Sequence, residues 1–170
     1  EGARLKLDKK YKPEKALGKE GRFQTEHAKL DGSNLIATDG RILAVIPVEV
    51  GENDRDGLIP KVALTGCRKG LKGRQVPTLI CGEAITLEAQ GIRVYPPADD
   101  KFPNWEKVIK ELDGHQEAVG EITLNARLLY NLAQALGTEN VRLTFHGGAR
   151  PVRADAVDGE AYGVIMPLRT

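Results

Sequence analysis

Residues 35–48 read LIATDGRILAVIPV. Two short apolar runs meet at Asp39-Gly40, a dipeptide suited to a tight turn because Gly tolerates φ > 0 and Asp tolerates the left-handed region. The stretch predicts a β-hairpin, with residues 35–38 running up and residues 41–45 running down. Arg41 stands just past the turn, beside Ile42 and Leu43. A charged side chain next to apolar ones at a turn is the composition of a binding lip. The plainer reading is a hairpin end solvated by its Arg, and the hairpin alone favours that reading; the rest of the chain shifts the balance.

Upstream of the hairpin, residues 22–30 read as a strand and Asp31-Gly32-Ser33 as a turn. Residues 1–21 hold a strand at 3–7 and then a polar, lysine-rich run interrupted by Pro13, Gly18 and Gly21, which predicts an irregular, mobile segment with a solvated surface. Downstream, residues 49–56 are a loop. A short strand at 58–59 leads into Pro60, which is welcome in the first turn of a helix. Residues 60–72 then predict a helix weakened by Gly66 and Gly70. Lys61, Arg68, Lys69 and Lys72 make it basic. Strands follow at 78–81, 84–88 and 92–95.

The sequence Phe102-Pro103-Asn104-Trp105-Glu106 contains the single Trp and lies outside any periodic segment. Such an aromatic–proline cluster pins a linker to a core or walls a groove. Beyond it, residues 121–124 read as a strand, with Asn125 as a helix N-cap and Gly137 at the C′ position. Between them Leu128, Leu129, Leu132, Ala133 and Leu136 form an apolar stripe at helical spacing. Strands at 141–145, 151–157 and 161–168 complete the chain, separated by turns at 146–148 and 158–159.

A repeat emerges. Residues 58–95 and 121–168 both run strand–helix–strand–strand–strand, and residues 3–48 are a third candidate in which nothing makes a credible helix. A helix followed by an antiparallel meander, used repeatedly, predicts an α+β fold with helices packed on one face of a continuous sheet.

The chain has 170 residues, 41% hydrophobic and 29% charged, with net charge +1. That suits a globular protein with a real core. No apolar run approaches the ~20 residues of a membrane helix, and no signal-peptide pattern opens the sequence. Cys67 and Cys81 lack metal spacing and read as buried small hydrophobes, which fits a cytoplasmic location. The near-neutral balance excludes a strong polyanion binder, so any nucleic-acid contact must come from local patches. His27, His115 and His146 are scattered, and no HExxH, GxSxG or phosphate-loop motif occurs. The sequence therefore predicts no catalytic site, no metal and no cofactor.

Three stretches taken together resemble the bacterial DNA polymerase III β subunit, the sliding clamp. IATDGRILAV at 36–45 resembles the hairpin of the clamp's middle domain. KFPNWEKVI at 101–109 resembles the segment leaving that domain, and AYGVIMPLRT at 161–170 resembles the C-terminal strand and tail. Residues 58–69 and 121–145 resemble units lying between. The resemblance divides the chain into an N-terminal segment (1–21), a middle-domain-like part (22–109), a linker (110–120) and half of a C-terminal-like domain (121–170). It implies that the first clamp domain, the helix of the first remaining unit and the first half of the last domain are lacking. A two-subunit ring is then excluded, whereas a homo-oligomer of more subunits would supply further units.

The resemblance also implies a groove for short linear peptides of polymerases, the clamp loader and repair proteins. Thr38, Gly40, Arg41 and Leu43 come from the hairpin. Pro103, Lys107 and Val108 come from the FPNWEKV segment, and Val164, Met166, Pro167, Leu168 and Arg169 from the tail. Thr25 stands where the family has an apolar residue, and Thr170 where it ends in Leu. Leu43, Val108, Val164, Met166 and Leu168 supply an apolar trough, and Met adapts to varied peptides. Arg41, Lys107 and Arg169 rim it with positive charge. In the clamps, helices also touch the phosphates of double-stranded DNA without reading bases. Here Lys61, Arg68, Lys69 and Lys72 on one helix and Arg127 on another would do so. Two functions follow: a replication or repair accessory that holds partners on DNA, or a monomeric adaptor or decoy that captures clamp-binding peptides without DNA.

Overall fold

Three times along the chain a short leading segment is followed by a helical turn and then an antiparallel meander. The computed structural model describes residues 4–19, 23–112, 114 and 116–169. The first unit is β1 (Leu5–Lys6), a 3-10 turn (Pro13–Ala16), β2 (His27–Asp31), β3 (Asn34–Thr38) and β4 (Ile42–Pro47). The second is β5 (Gly57–Pro60), α1 (Lys61–Gly66), β6 (Thr78–Cys81), β7 (Ile85–Leu87) and β8 (Ile92–Val94). After α2 (Trp105–Leu112), the third unit runs through residues 121–124 into α3 (Ala126–Ala135), β9 (Val141–Thr144), β10 (Val152–Ala156) and β11 (Tyr162–Ile165).

The first two units exchange their leading strands. β1 pairs with β6 and β5 pairs with β2, in both cases antiparallel. The third unit joins the first through β4 and β11, with Leu43 opposite Val164 and Ala44 opposite Gly163. The result is a four-stranded sheet, β1-β6-β7-β8, and a seven-stranded sheet, β5-β2-β3-β4-β11-β10-β9. All the strand pairs are antiparallel, and the class is α+β.

β3 and β4 are buried on both faces, which explains their nearly continuous apolar sequence. Leu35, Ala37, Ala44 and Ile46 enter the main core, which also takes Ala63 and Leu64 of α1, Leu128 and Leu132 of α3, and residues of both sheets. Ile36, Leu43, Val45 and Val164 point the other way. They meet Leu112 and the half-buried Trp105, Val108 and Ile109 of α2. The two sets alternate along the strands, as a period of two requires.

Three sequence expectations need correction. Residues 102–106 read as lying outside any periodic segment, yet α2 begins at Trp105 and runs to Leu112, into the expected linker. Trp105, Val108, Ile109 and Leu112 recur at helical spacing and cover the outer sheet face. Of the segment expected to be irregular, residues 4–19 contribute to the core, because Leu5, Leu7, Tyr11 and Ala16 are buried between the lysines. Pro13 starts the 3-10 turn that stands where the second and third units have α-helices. The basic helix expected over 60–72 ends at Gly66; Cys67 caps it, and Gly70 turns the chain at φ 74°. Expectations on Ala3, Arg22, His115 and Thr170 lie outside the described residues.

Gly163 marks the tightest seam. A Cβ there would meet the Leu43 carbonyl oxygen at 2.1 Å and Leu132 Cδ1 at 2.9 Å. Gly163→Ala should therefore destabilise the fold by on the order of 3 kcal/mol, measured as a drop in the urea midpoint. The buried thiols offer a second check. Burial, aided by the Asp54 charge, pushes Cys81 up to about 12, and burial pushes Cys67 up to about 11. The folded state holds these protons more tightly than the unfolded chain, where a thiol titrates near 8.5. Their contribution to stability is therefore present below that pH and is lost as pH rises towards 11–12. Urea midpoints should fall between pH 8 and pH 10.5, and less so in a Cys67→Ala/Cys81→Ala variant.

Candidate functional site

The hairpin turn is held by its own side chains. Thr38 faces Leu43 across the ladder, so residues 39–42 make the turn. The Asp39 carboxylate accepts from the backbone N–H of Arg41 (2.7 Å) and of Ile42 (2.8 Å). The buried Thr38 hydroxyl donates to the Ile42 carbonyl (2.7 Å) and accepts from Gly40 N–H (3.1 Å). Gly40 sits at φ 90°, a conformation that favours glycine. This arrangement turns Arg41 outward, its side chain 65% exposed and 3.6 Å from Asp39.

Two other elements close on the turn. The tail is tied down where Met166 N–H donates to the Arg41 carbonyl (2.9 Å) and Leu168 N–H to the Thr123 carbonyl (2.8 Å). On the other side, Asn104 begins α2 by accepting from Lys107 N–H (3.2 Å). The Trp105 indole N–H donates to Asp31 at 3.0 Å, and Lys29 stands 6.0 Å from the centre of the Phe102 ring. These contacts fix the start of α2 over the outer sheet face.

Between them lies a hollow of about 140 Å³, lined by Thr38, Gly40, Arg41, Ile42, Leu43, Pro103, Trp105, Val108, Val164 and Met166. Its walls are apolar except for Thr38 and the Arg41 lip. The volume is comparable with the roughly 150 Å³ apolar cavities that accept a benzene ring. It suits one bulky apolar side chain rather than a polar metabolite. Met166 is 39% exposed at the rim and Leu168 53% exposed beyond it.

The structure thus gathers eight of the residues expected from the sequence into this hollow, together with Ile42 and Trp105, which sequence reasoning left out. Pro167, Leu168 and Arg169 line a separate depression with Glu121, Ile122, Thr123, Gly148 and Ala149. Lys107 is exposed on α2 and lines neither. Thr25 borders a different space.

That other space is an open hollow of about 630 Å³ lined by Lys15, Lys19, Arg41, Arg127, Asp39, Thr25 and Asn131, among others. Asp39 is already engaged with the turn, so the hollow is cationic. The N-terminal lysines are brought to Arg127 because the 3-10 turn packs against α3. No sequence pattern signals this, since the residues are distant in the chain. Arg68 is not offered to a ligand: its guanidinium pairs with Glu14 and donates to the Tyr11 carbonyl. Lys61, Lys69 and Lys72 are exposed on and after α1, away from the hollow. Among the described residues, no group of three or more His, Cys, Asp or Glu side chains could hold a metal ion. No helix among them is long and apolar enough to cross a membrane.

No protein-family profile matches the chain, and no curated protein does. Solved structures do. The sliding clamp (DNA polymerase III subunit beta) of Bartonella birtlesii, in a structure bound to griselimycin, superposes with TM-score 0.66 at 16% identity, covering 99% of this chain and 67% of that one. The β subunit of Thermotoga maritima gives 0.65 at 15%, covering 99% and 66%. That of Streptococcus pneumoniae gives 0.66 at 17%, covering 100% and 66%. The chain spans about two thirds of the length of the clamps it matches. At this identity the likeness speaks for architecture: the fold is that of the bacterial sliding clamps.

Proposed function

We propose that this chain is a non-enzymatic, clamp-like accessory of DNA replication or repair that holds short linear peptides of its partners in the hollow at the hairpin turn. The observation that carries the reading is the convergence of the turn, the start of α2 and the tail on one apolar pocket with a cationic lip. An extended peptide would seat an apolar side chain against Leu43, Val108, Val164 and Met166. Its backbone would approach over Gly40, where no side chain intervenes, and an acidic or carbonyl group would meet Arg41. Met166 re-packs to suit different anchors, which favours a shared docking site for several partners.

The test is fluorescence polarisation with labelled peptides from polymerase and clamp-loader subunits. Binding should weaken at least about tenfold in Met166→Asp, which places a charge where an apolar side chain docks. Arg41→Glu should weaken it for acidic peptides in particular. Binding unchanged in both variants would dismiss the groove.

The cationic hollow favours a second element, sequence-independent contact with duplex DNA through phosphates. Lys15, Lys19 and Arg127 would carry it, with Arg41 at the border. Anisotropy with short labelled duplexes of unrelated sequence should show affinity falling steeply between about 50 and 200 mM salt. Lys15→Glu/Lys19→Glu should weaken all duplexes alike and flatten the log–log salt slope by about two. A chain that binds peptide and shows no salt-sensitive DNA binding is instead the adaptor that works without DNA.

A further inference from the structure

We infer that the third unit is a half-domain completed by a second copy of the chain, through reciprocal exchange of residues 121–124 across the β9 edges. The template is inside the molecule. In the first two units the outer edge of the meander's first strand is covered by the other unit's leading strand: β5 on β2 and β1 on β6. In the third unit β9 pairs with β10 alone among the described strands, over residues 141–144. Just past the end of β9, Glu117 bridges His146 and its N–H donates to the Phe145 carbonyl (3.1 Å).

The leading segment of the third unit is vacant in the same way. Residues 121–124 make one bridge, Thr123 to Leu168 in the unit's own tail. β1 makes the corresponding bridge, Lys6 to Glu49 just past β4, and pairs with β6 along its other edge as well. β1 therefore serves both of its edges, β5 serves one by lying on the other unit's meander, and the third unit's leading segment has only the bridge to its own tail. Residues 121–124, expected to be a strand, carry only this isolated bridge.

Burial points the same way. In the exchanged pair, Ala28, Leu30 and Ile59 are at most 1% exposed. The counterparts around the β9 edge, Ile122, Leu124, Leu143 and Phe145, pack against the main core but stay only partly buried. They form an apolar wall with one side open. Ile122 and Leu124 share a face by strand periodicity, as do Val141 and Leu143. Laying 121–124 of one copy antiparallel on β9 of the other sets apolar side chains beside apolar ones. Two-fold symmetry makes the exchange mutual, so one contact closes both vacant edges. The chemistry that fits the wall best is thus its own complement: a strand of this sequence, presented by a second copy.

Light scattering over a concentration series should reveal a species of twice the 18.5 kDa chain mass. Leu143→Lys, at a half-buried edge position, should shift that species to single-chain mass with the circular dichroism unchanged. A direct readout uses two single variants, Thr123→Cys and Arg142→Cys, both at exposed positions. Facing residues on paired strands bring Cβ atoms to about 5 Å, and diagonal ones to about 7–8 Å. A short bis-maleimide should therefore link the two variants when mixed and neither one alone, while the buried Cys67 and Cys81 stay unmodified. Single-chain mass at every concentration overturns the proposal. So does a dimer that survives Leu143→Lys and yields no 123–142 cross-link. Neither readout depends on peptide or DNA binding.

Discussion

The pairing of β4 with β11 is the constraint on which the rest depends. Residues 164–166 reach the hairpin turn at 38–43 because two strand edges, β4 and β11, zip together, and the start of α2 at 103–108 lies over the surface they share. The zip needs Gly163, since any side chain there would strike the neighbouring strand's backbone. Once formed, it turns two smaller sheets into one seven-stranded surface wide enough for α2 to lie on. From β11 the chain runs on past the hairpin turn, where Met166 N–H donates to the Arg41 carbonyl. The hollow is a by-product of this closure: the patch of outer face that α2 starts too late to cover.

Arg41 has an unusual position in this arrangement, because it stands in the wall of both the apolar hollow and the cationic one. The turn that aims it is rigid, with the Asp39 carboxylate and the Thr38 hydroxyl spent on backbone groups. Its guanidinium, exposed and 3.6 Å from Asp39, borders both spaces and would meet an acidic group on a docked peptide or a phosphate beside Lys15 and Arg127. The two proposed activities therefore share a side chain and are physically adjacent.

Much of the fold was legible in the residues. Asp39-Gly40 between apolar runs marked the hairpin, and the Asn125-to-Gly137 stripe marked α3, where the Asn125 side chain does accept from Arg127 and Leu128 N–H. The repeat was visible in the pattern of the second and third units. Its first copy was hidden because a 3-10 turn of four residues has no helical periodicity to detect. α2 was missed although Trp105, Val108, Ile109 and Leu112 carry the right spacing, because the preceding Phe-Pro-Asn reads as a linker. The gathering of the site rested on the resemblance rather than on periodicity, which is why Ile42 and Trp105 escaped notice. The placing of Lys15 and Lys19 beside Arg127 was beyond sequence reasoning. So was the neutralisation of Arg68 by Glu14, since both follow from tertiary contacts alone.

The β4–β11 seam also sets a schedule for synthesis. β4 is made early, and both its faces are apolar. Its partner strand, β11 at Tyr162–Ile165, is made only after the whole of the second unit and most of the third. Until then the hairpin offers an open, hydrophobic edge, the kind of surface that pairs with whatever strand arrives first. Until β11 emerges, the nascent chain is therefore a sticky intermediate whose β4 edge is not yet sealed. Slow elongation through the third unit, or premature termination within it, would leave truncated chains aggregating through β4 rather than merely lacking a tail.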